Sequence, residues 1–405
     1  MKKQFFSVLL ACVIMLSFCI GCTRTVISTS PSSVASSSSS VVAVSEPISS
    51  ENLFELTSTA HVELLLSDEE LEKIPSNGIV ALGMCNIYSV GDILYYKSLA
   101  GTRFEIHKKD MKTGEDIVLF KTDSQYIESF LVVNEDTILI NFLMDTPTEQ
   151  YYFSRYDTFW YNLPSQKLIL LNDMFGLDDY CITQVMYDGN SFFVEQFVQN
   201  GPEDYTPKFK YSIVTNNEIV AENEATEMES LYTAYDGTLY YAHESSLYAL
   251  APEGSPTVIL EIFDSESNSR PSLGSICMDN GIFSAIYSGA FFAIDLQTKQ
   301  LMQHVALDNN ATMHRTGKFY DSVQRVSAES ANDDSAGSAL GITRYALSGE
   351  KVLEFPPYGN YKGMSIPMLF CIYDDTLYYL DGNWAGEEPN SDTTLSLFEL
   401  SAIRF

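Results

Sequence analysis

Six stretches of this 405-residue chain share one form: an apolar run, a polar turn holding Asp, Asn or Gly, and a second apolar run. They are SVGDILYYKS (from Ser89), VNEDTILINF (from Val133), MYDGNSFFVE (from Met186), AYDGTLYYAH (from Ala234), MDNGIFSAIY (from Met278) and IYDDTLYYLD (from Ile372). A weaker seventh, TGKFYDSVQRV, starts at Thr316. From Leu94 to Leu377 the six intervals average about 47 residues. Strand-like units repeating at that period read as blades of a ring rather than as helical repeats. The remainder of each unit agrees, because a second strand pair with its own turn follows: FEIHKKDMKTGEDIVLF (104–120), SLYALAPEGSPTVIL (246–260), FFAIDLQTKQLMQ (291–303) and ITRYALSGEKVLEF (342–355). Asp-Gly, Asn-Gly and Thr-Gly-Glu breaks suit hairpins, whose turns need residues that tolerate positive φ.

Each unit therefore predicts four antiparallel strands, A to D, and the fold class is all-β: a single β-propeller. One blade cannot bury both of its faces, so the blades must stack round a ring. Seven blades is the favoured count, with six or eight open because the unit at 314–355 is poorly written. The last unit stops after three strands at Phe405. An N-terminal strand, Thr59–Leu66, is expected to complete it and close the ring. A short helix should follow, since Ser67 with Glu70 forms a capping box and Pro75 ends the run.

The propeller accounts for residues 51–405. Before it, Lys2 and Lys3 precede an apolar run from Phe5 to Ile20 and then Gly21-Cys22, the pattern of an export signal over 1–21. Cys19-Ile20-Gly21-Cys22 resembles a lipoprotein lipobox, with Cys19 where that motif usually carries Leu. The resemblance makes Cys22 the lipidated residue and the membrane a partner through that lipid. Residues 22–50 are Ser-rich, with few charges, and read as a flexible tether. The expected location is extracytoplasmic, anchored to a bacterial membrane.

Lys and Arg number 23 and Asp and Glu 54, a formal charge of −31, or −33 once residues 1–21 are removed. Such a field repels phosphate backbones, so no nucleic-acid partner is expected. No HExxH, GxSxG or GxxxxGK[ST] occurs, the Cys19–Cys22 spacing has no second CxxC to pair with, and the five histidines share no repeat position. No catalytic residue, cofactor or metal ligand is assigned. Cys85, Cys181, Cys277 and Cys371 lie 96, 96 and 94 residues apart, two blade lengths each time. They read as buried apolar fillers spread over alternate blades, out of reach of one another.

Loop lengths carry the functional expectation. A–B and C–D turns are short, whereas long excursions fall in B–C and D–A connections, which share the opposite face of a propeller. Those loops hold Tyr151, Tyr152, Asp204, Tyr205, Asp333, Asp334, Trp384, Glu387 and Glu388. Aromatic rings beside carboxylates suit a sugar, a peptide or a cationic group. The expected role is a non-catalytic binding or scaffolding module for a protein, peptide or glycan. The alternative is a surface glycan hydrolase or lyase using carboxylates at the propeller mouth.

Over residues 79–405, units of the form YDGxLYY…LYxLD…TGE resemble the β-propeller lipoproteins of Gram-positive bacteria, of the clostridial type. They are more distantly similar to the propeller of the low-density-lipoprotein receptor group, whose Tyr-Trp-Thr-Asp signature is missing here. The resemblance implies cell-surface attachment and contact with protein or glycan, and specifies architecture rather than chemistry.

Overall fold

The computed structural model describes residues 54–55, 60–65, 67, 69, 81–100, 103–123, 125–145, 155–198, 208–225, 231–243, 246–252, 254–264, 274–287, 290–306, 311–316, 319–326, 338–346, 351–361, 370–385 and 394–404. Three short strands come first: β1 (Phe54–Glu55), β2 (Ala60–Leu64) and β3 (Leu82–Gly83). Blade one follows as β4 (Ile87–Val90), β5 (Ile93–Ala100), β6 (Arg103–Asp110) and β7 (Asp116–Thr122). Blade two is β8 (Ile127–Asn134), β9 (Thr137–Asp145), β10 (Arg155–Asn162) and β11 (Lys167–Leu170), ending in the short helix α1 (Leu171–Phe175). Blade three is β12 (Cys181–Tyr187), β13 (Ser191–Val198), β14 (Lys208–Thr215) and β15 (Glu218–Ala225). Blade four is β16 (Leu231–Tyr235), β17 (Thr238–His243), β18 (Ser246–Leu250) and β19 (Thr257–Asp264). Blade five is β20 (Gly274–Asp279), β21 (Ile282–Tyr287), β22 (Ala290–Asp295) and β23 (Gln300–Ala306). Blade six is β24 (Ala311–Thr316), β25 (Phe319–Val326), β26 (Ser338–Ala346) and β27 (Lys351–Tyr361). Blade seven has three strands among the described residues: β28 (Phe370–Tyr373), β29 (Thr376–Ala385) and β30 (Thr394–Arg404). The chain is an all-β, seven-bladed propeller.

The expected hairpins form with the expected backbone. Asp236 and Gly237 (φ 44° and 77°) and Asn280 and Gly281 (φ 51° and 72°) turn between first and second strands with both residues at positive φ. That is the twist-matched turn of a two-residue hairpin. The repeated acid also works between blades. Asp188 is buried; its Oδ1 accepts from the amides of Asn190 (2.9 Å) and Ser191 (2.8 Å), and its Oδ2 from that of Gly237 in blade four (3.0 Å). Tyr235 similarly donates to Asn280 of blade five (3.1 Å).

The core lies between blades rather than at one centre. Leu99, Phe104, Ile106, Phe130, Leu139, Phe142, Val185 and Phe192 join blades one to three, and Phe193, Tyr211, Ala234, Leu239 and Tyr241 join three to four. Tyr211, Tyr241 and Tyr248 stack in series, centroids 5.1 and 5.2 Å apart. Broad rings fill the wedge between diverging sheets, which explains the chain's appetite for Tyr and Phe.

Ring closure corrects the expectation. β2 does not complete blade seven; it pairs antiparallel with β19 on the outer edge of blade four, Leu64 opposite Leu260 through Ala60 opposite Asp264. β19 offers a free outer edge beside which an alternating segment can bond, and that edge wins it. The seam between blades seven and one is closed by other means. The long β29–β30 hairpin reaches over so that Leu397 and Phe398 pair with Ala100 and Leu99 of β5. Below it pack Ile87, Leu94, Tyr96, Cys371 and Leu380. Tyr373 donates to Asp92 (2.5 Å) and the Cys371 thiol to Ser89 Oγ (3.2 Å). Of the helix expected after Ser67, Glu69 is helical and most of the span lies outside the described residues.

The four described cysteines form no disulfide. Cys181, Cys277 and Cys371 sit in first strands, as expected, whereas Cys85 forms an isolated bridge with Phe130 of blade two. With an odd number of blades, the last and first are neighbours, so the alternate-blade spacing fails once: Cys85 and Cys371 belong to adjoining blades, and Cys371 adds to the upward push on the Cys85 thiol. Burial pushes the Cys85 thiol up to about 12 and the Cys371 thiol up to about 11, which keeps both protonated.

Blade six is tied to blade seven by one buried ion pair. Asp321 is fully buried; Arg344 grips it with Nε (2.6 Å) and Nη2 (2.8 Å), and Nη2 also reaches the Ile372 carbonyl (2.9 Å). Removing one partner strands a buried charge. Arg344→Met should lower unfolding stability by about 3–5 kcal/mol in urea titration, and adding Asp321→Leu should restore much of that loss.

Candidate functional site

The long connections fall where expected: residues 146–154, 199–207, 327–337 and 386–393 each link a second to a third strand. Of the residues proposed for that face, Trp384 lies in β29, paired with Leu395 beside an irregularity in register at Asn383. Tyr151, Tyr152, Asp204, Tyr205, Asp333, Asp334, Glu387, Glu388 and Cys22 lie outside the described residues.

The densest described set of titratable side chains is elsewhere, on the face of blade one turned toward blade seven. Strand alternation fixes that face. Leu94 and Tyr96 pack on blade seven, so Ser98 shares their side, and the cross-strand pairing Tyr96–His107 brings His107, Glu105 and Lys109 with them. On β7, Val118 opposes His107 and Asp116 opposes Lys109. Among the described residues blade seven brings three strands, and none of them pairs with β7. Val118 is 43% exposed and Asp116 is exposed.

His107 is the hub. Its Nδ1 lies 3.0 Å from Asp116 Oδ1, and its Nε2 lies 3.0 Å from Ser98 Oγ and 3.3 Å from Glu105 Oε2. The ring stacks on Tyr96, centroids 4.6 Å apart and planes 11° from parallel. Tyr96 donates its hydroxyl to Asp116 Oδ2 (2.7 Å), and Lys109 Nζ stands 3.4 Å from the same oxygen. Burial, then the bond to Asp116, raises the Tyr96 hydroxyl well above its ordinary range, so it stays a donor. Burial pushes the Asp116 carboxyl upward, but hydrogen bonds from Tyr96 and His107 outweigh it and hold the group below the usual range.

Ser98, His107 and Asp116 thus stand in the order nucleophile, base and orienting acid. Two features argue against nucleophilic use. Glu105 competes with Ser98 for the same imidazole nitrogen: a neutral ring accepts from Ser98 there, whereas a charged ring donates to Glu105. The backbone beside Ser98 is also taken up in strand pairing, Ser98 with Glu105 and Leu99 with both Phe104 and Phe398. No pair of free amides is therefore aimed at an oxyanion beside Ser98 Oγ among the described residues. The cluster is a polar clamp across three strands.

Its sequence signal was available. Ser98, His107 and Asp116 are nine residues apart in each step, across two hairpins of one blade. A search for a shared repeat position misses them, because they recur across one blade and not between blades. On the opposite face of β5, Lys97 is buried, donates to the carbonyls of Ile127 (2.8 Å) and Glu128 (3.1 Å), and lies 5.3 Å from the Tyr126 ring centroid. That lysine rivets blade one to blade two.

No family model matches the chain, and no curated protein matches it. Among solved structures it is similar to an acylaminoacyl peptidase in complex with Z-Gly-Gly-Phe-chloromethyl ketone (10% identity, 74% of this chain and 49% of that one, TM-score 0.44). It is also similar to Pyrococcus horikoshii acylaminoacyl peptidase (9% identity, 76% and 50%, TM-score 0.47). A third is the WD40 β-propeller domain of Doa1 (7% identity, 80% and 96%, TM-score 0.41). The chain spans about half the length of the two peptidases. The fold assignment rests on strand order, and these likenesses add no chemistry.

The clamp has a pH signature. A carboxyl whose folded pKa is depressed contributes stability above its unfolded pKa, about 3.9, and that contribution is lost as pH falls through the folded pKa. Urea unfolding of the wild type should therefore weaken more steeply below about pH 4 than that of Asp116→Asn. Parallel curves would remove Asp116 from the linkage.

Proposed function

We propose that the chain is a lipid-anchored, extracytoplasmic propeller acting as a non-catalytic binding or scaffolding module for a protein, peptide or glycan. The observation that carries this reading is the division of labour between the two faces. First-to-second-strand turns are tight and cross-linked between blades, while the long, acidic and aromatic stretches of the sequence fall in second-to-third-strand connections, which leave the strands at the opposite end. Rigid scaffolds carry recognition on such loops. The export signal, the lipobox ending in Cys22 and the Ser-rich tether supply the address, and together hold the ring away from a membrane surface. Two or more acyl chains, at about 0.8 kcal/mol per buried CH₂, anchor stably where one does not. The clamp's lack of free oxyanion donors favours binding over acyl transfer at that place.

Two measurements test the reading. Metabolic labelling with a palmitate analogue should mark the full chain and not Cys22→Ala, which should leave the membrane fraction. On a glycan and peptide array the full chain should capture a defined class without cleaving it; release of sugar or peptide fragments would replace the binding module with an enzyme.

A further inference from the structure

We propose, resting on the binding-module reading, that the fourth-strand position of blade seven is a docking site for a lysine-bearing extended segment of a partner protein, added antiparallel to β30. Blades one to six each have four strands in the same order, so the ring itself specifies what belongs beside β30. Among the described residues, β30 pairs with β29 along one edge and with β5 only through Leu397 and Phe398 on the other. From Glu399 to Arg404 the outer edge meets no described strand. The fold accepts edge addition elsewhere, since β2 joins β19 through five residue pairs. Such addition draws affinity from main-chain bonds and selectivity from alternate side chains.

The neighbouring side chains define the chemistry of the occupant. Leu400 packs toward blade one, so Ala402 shares its face and is exposed there. Across the notch stand Val118, 43% exposed, and the carboxylates of Glu105 and Asp116, 24% and 30% exposed. Fourth strands in sister blades bring aliphatic runs to this layer: Ile117, Val118 and Leu119 in blade one, Val258, Ile259 and Leu260 in blade four. An occupant thus places an aliphatic side chain against Val118 and Ala402, and its next residue on that face, a lysine, against Glu105 and Asp116. The formal charge of −31 favours approach of a cationic segment over an acidic one.

The probe is the peptide Thr257–Phe263 carrying Glu261→Lys, with a lysine added at each end. Mixed with the full chain, it should slow hydrogen exchange of outward-facing amides within Glu399–Arg404 at least tenfold. Glu105→Lys and Val118→Glu should each weaken its binding at least tenfold, and a peptide N-methylated on alternate amides should not bind. Protection missing from β30, or equal binding to both variants, overturns the site. Slow exchange at β30 without peptide, together with a dimer in sedimentation, makes a second copy the occupant and also overturns it. Array capture that maps to the long loops while β30 stays unprotected sinks this inference alone; silence on both sinks the binding module as well.

Discussion

Everything in this molecule follows from sheets that are apolar on both faces. A four-stranded sheet with Leu99, Phe104 and Ile106 on one side and Leu94 and Tyr96 on the other has no stable solution in isolation. Each face needs another sheet, and that sheet needs another in turn. Twisted sheets stacked this way splay, and the chain terminates the series by bending it into a circle. The wide aromatic rings are the wedges that make the circle possible. Tyr211 against Tyr241 against Tyr248 fills what aliphatic side chains of one size would leave open.

The constraint also explains why closure is the interesting place. Between consecutive blades the chain itself sets the spacing, because a short connection delivers one first strand beside its predecessor. Between blades seven and one there is no such connection, and the contacts must be specific enough to replace it. They are varied: a two-residue bridge from an overlong hairpin, an apolar layer around Leu94 and Cys371, a tyrosine hydroxyl on Asp92, and Lys112 closing on Asp92 from within blade one. This assembly joins the inner three layers, and among the described residues no strand of blade seven pairs with the outermost strand of blade one. The polar clamp reaches that layer through Asp116, beside the exposed Ile117 and Val118.

Much of the architecture was legible in the residues, because it is written in short-range terms. Asp236-Gly237 and Asn280-Gly281 name their turn type, alternation names the buried face, and the period of about 47 residues names the ring. The landing place of Ala60–Leu64 was not legible. An alternating segment advertises that it will pair, but six outer edges of similar character compete for it, and the choice of β19 depends on where the preceding chain runs. The His107 cluster was readable only in part. Its nine-residue steps are visible, yet their meaning depends on which strands of blade seven pack against that face, and those strands are distant in sequence.

The contrast between sealed and solvent-reached layers among the described residues also shows where substitution threatens stability and where it does not. Substituting Phe130, fully buried in the cluster shared by blades one to three, opens a cavity between blades. Substituting Val118, Glu105 or Ala402 disturbs no sealed layer, because solvent already reaches them. The first-to-second-strand turns are unsuited to recognition for the opposite reason: Asp188 and Asn280 are spent holding adjacent blades. On the proposed binding role, recognition falls to the long second-to-third-strand connections and to the notch beside β30. The overlong β29–β30 hairpin belongs to both, since its tip carries one of those connections and its last residues form the edge of the notch. A ligand on that connection and a strand along that edge would bear on the same two strands, which makes this hairpin the place to measure coupling between them.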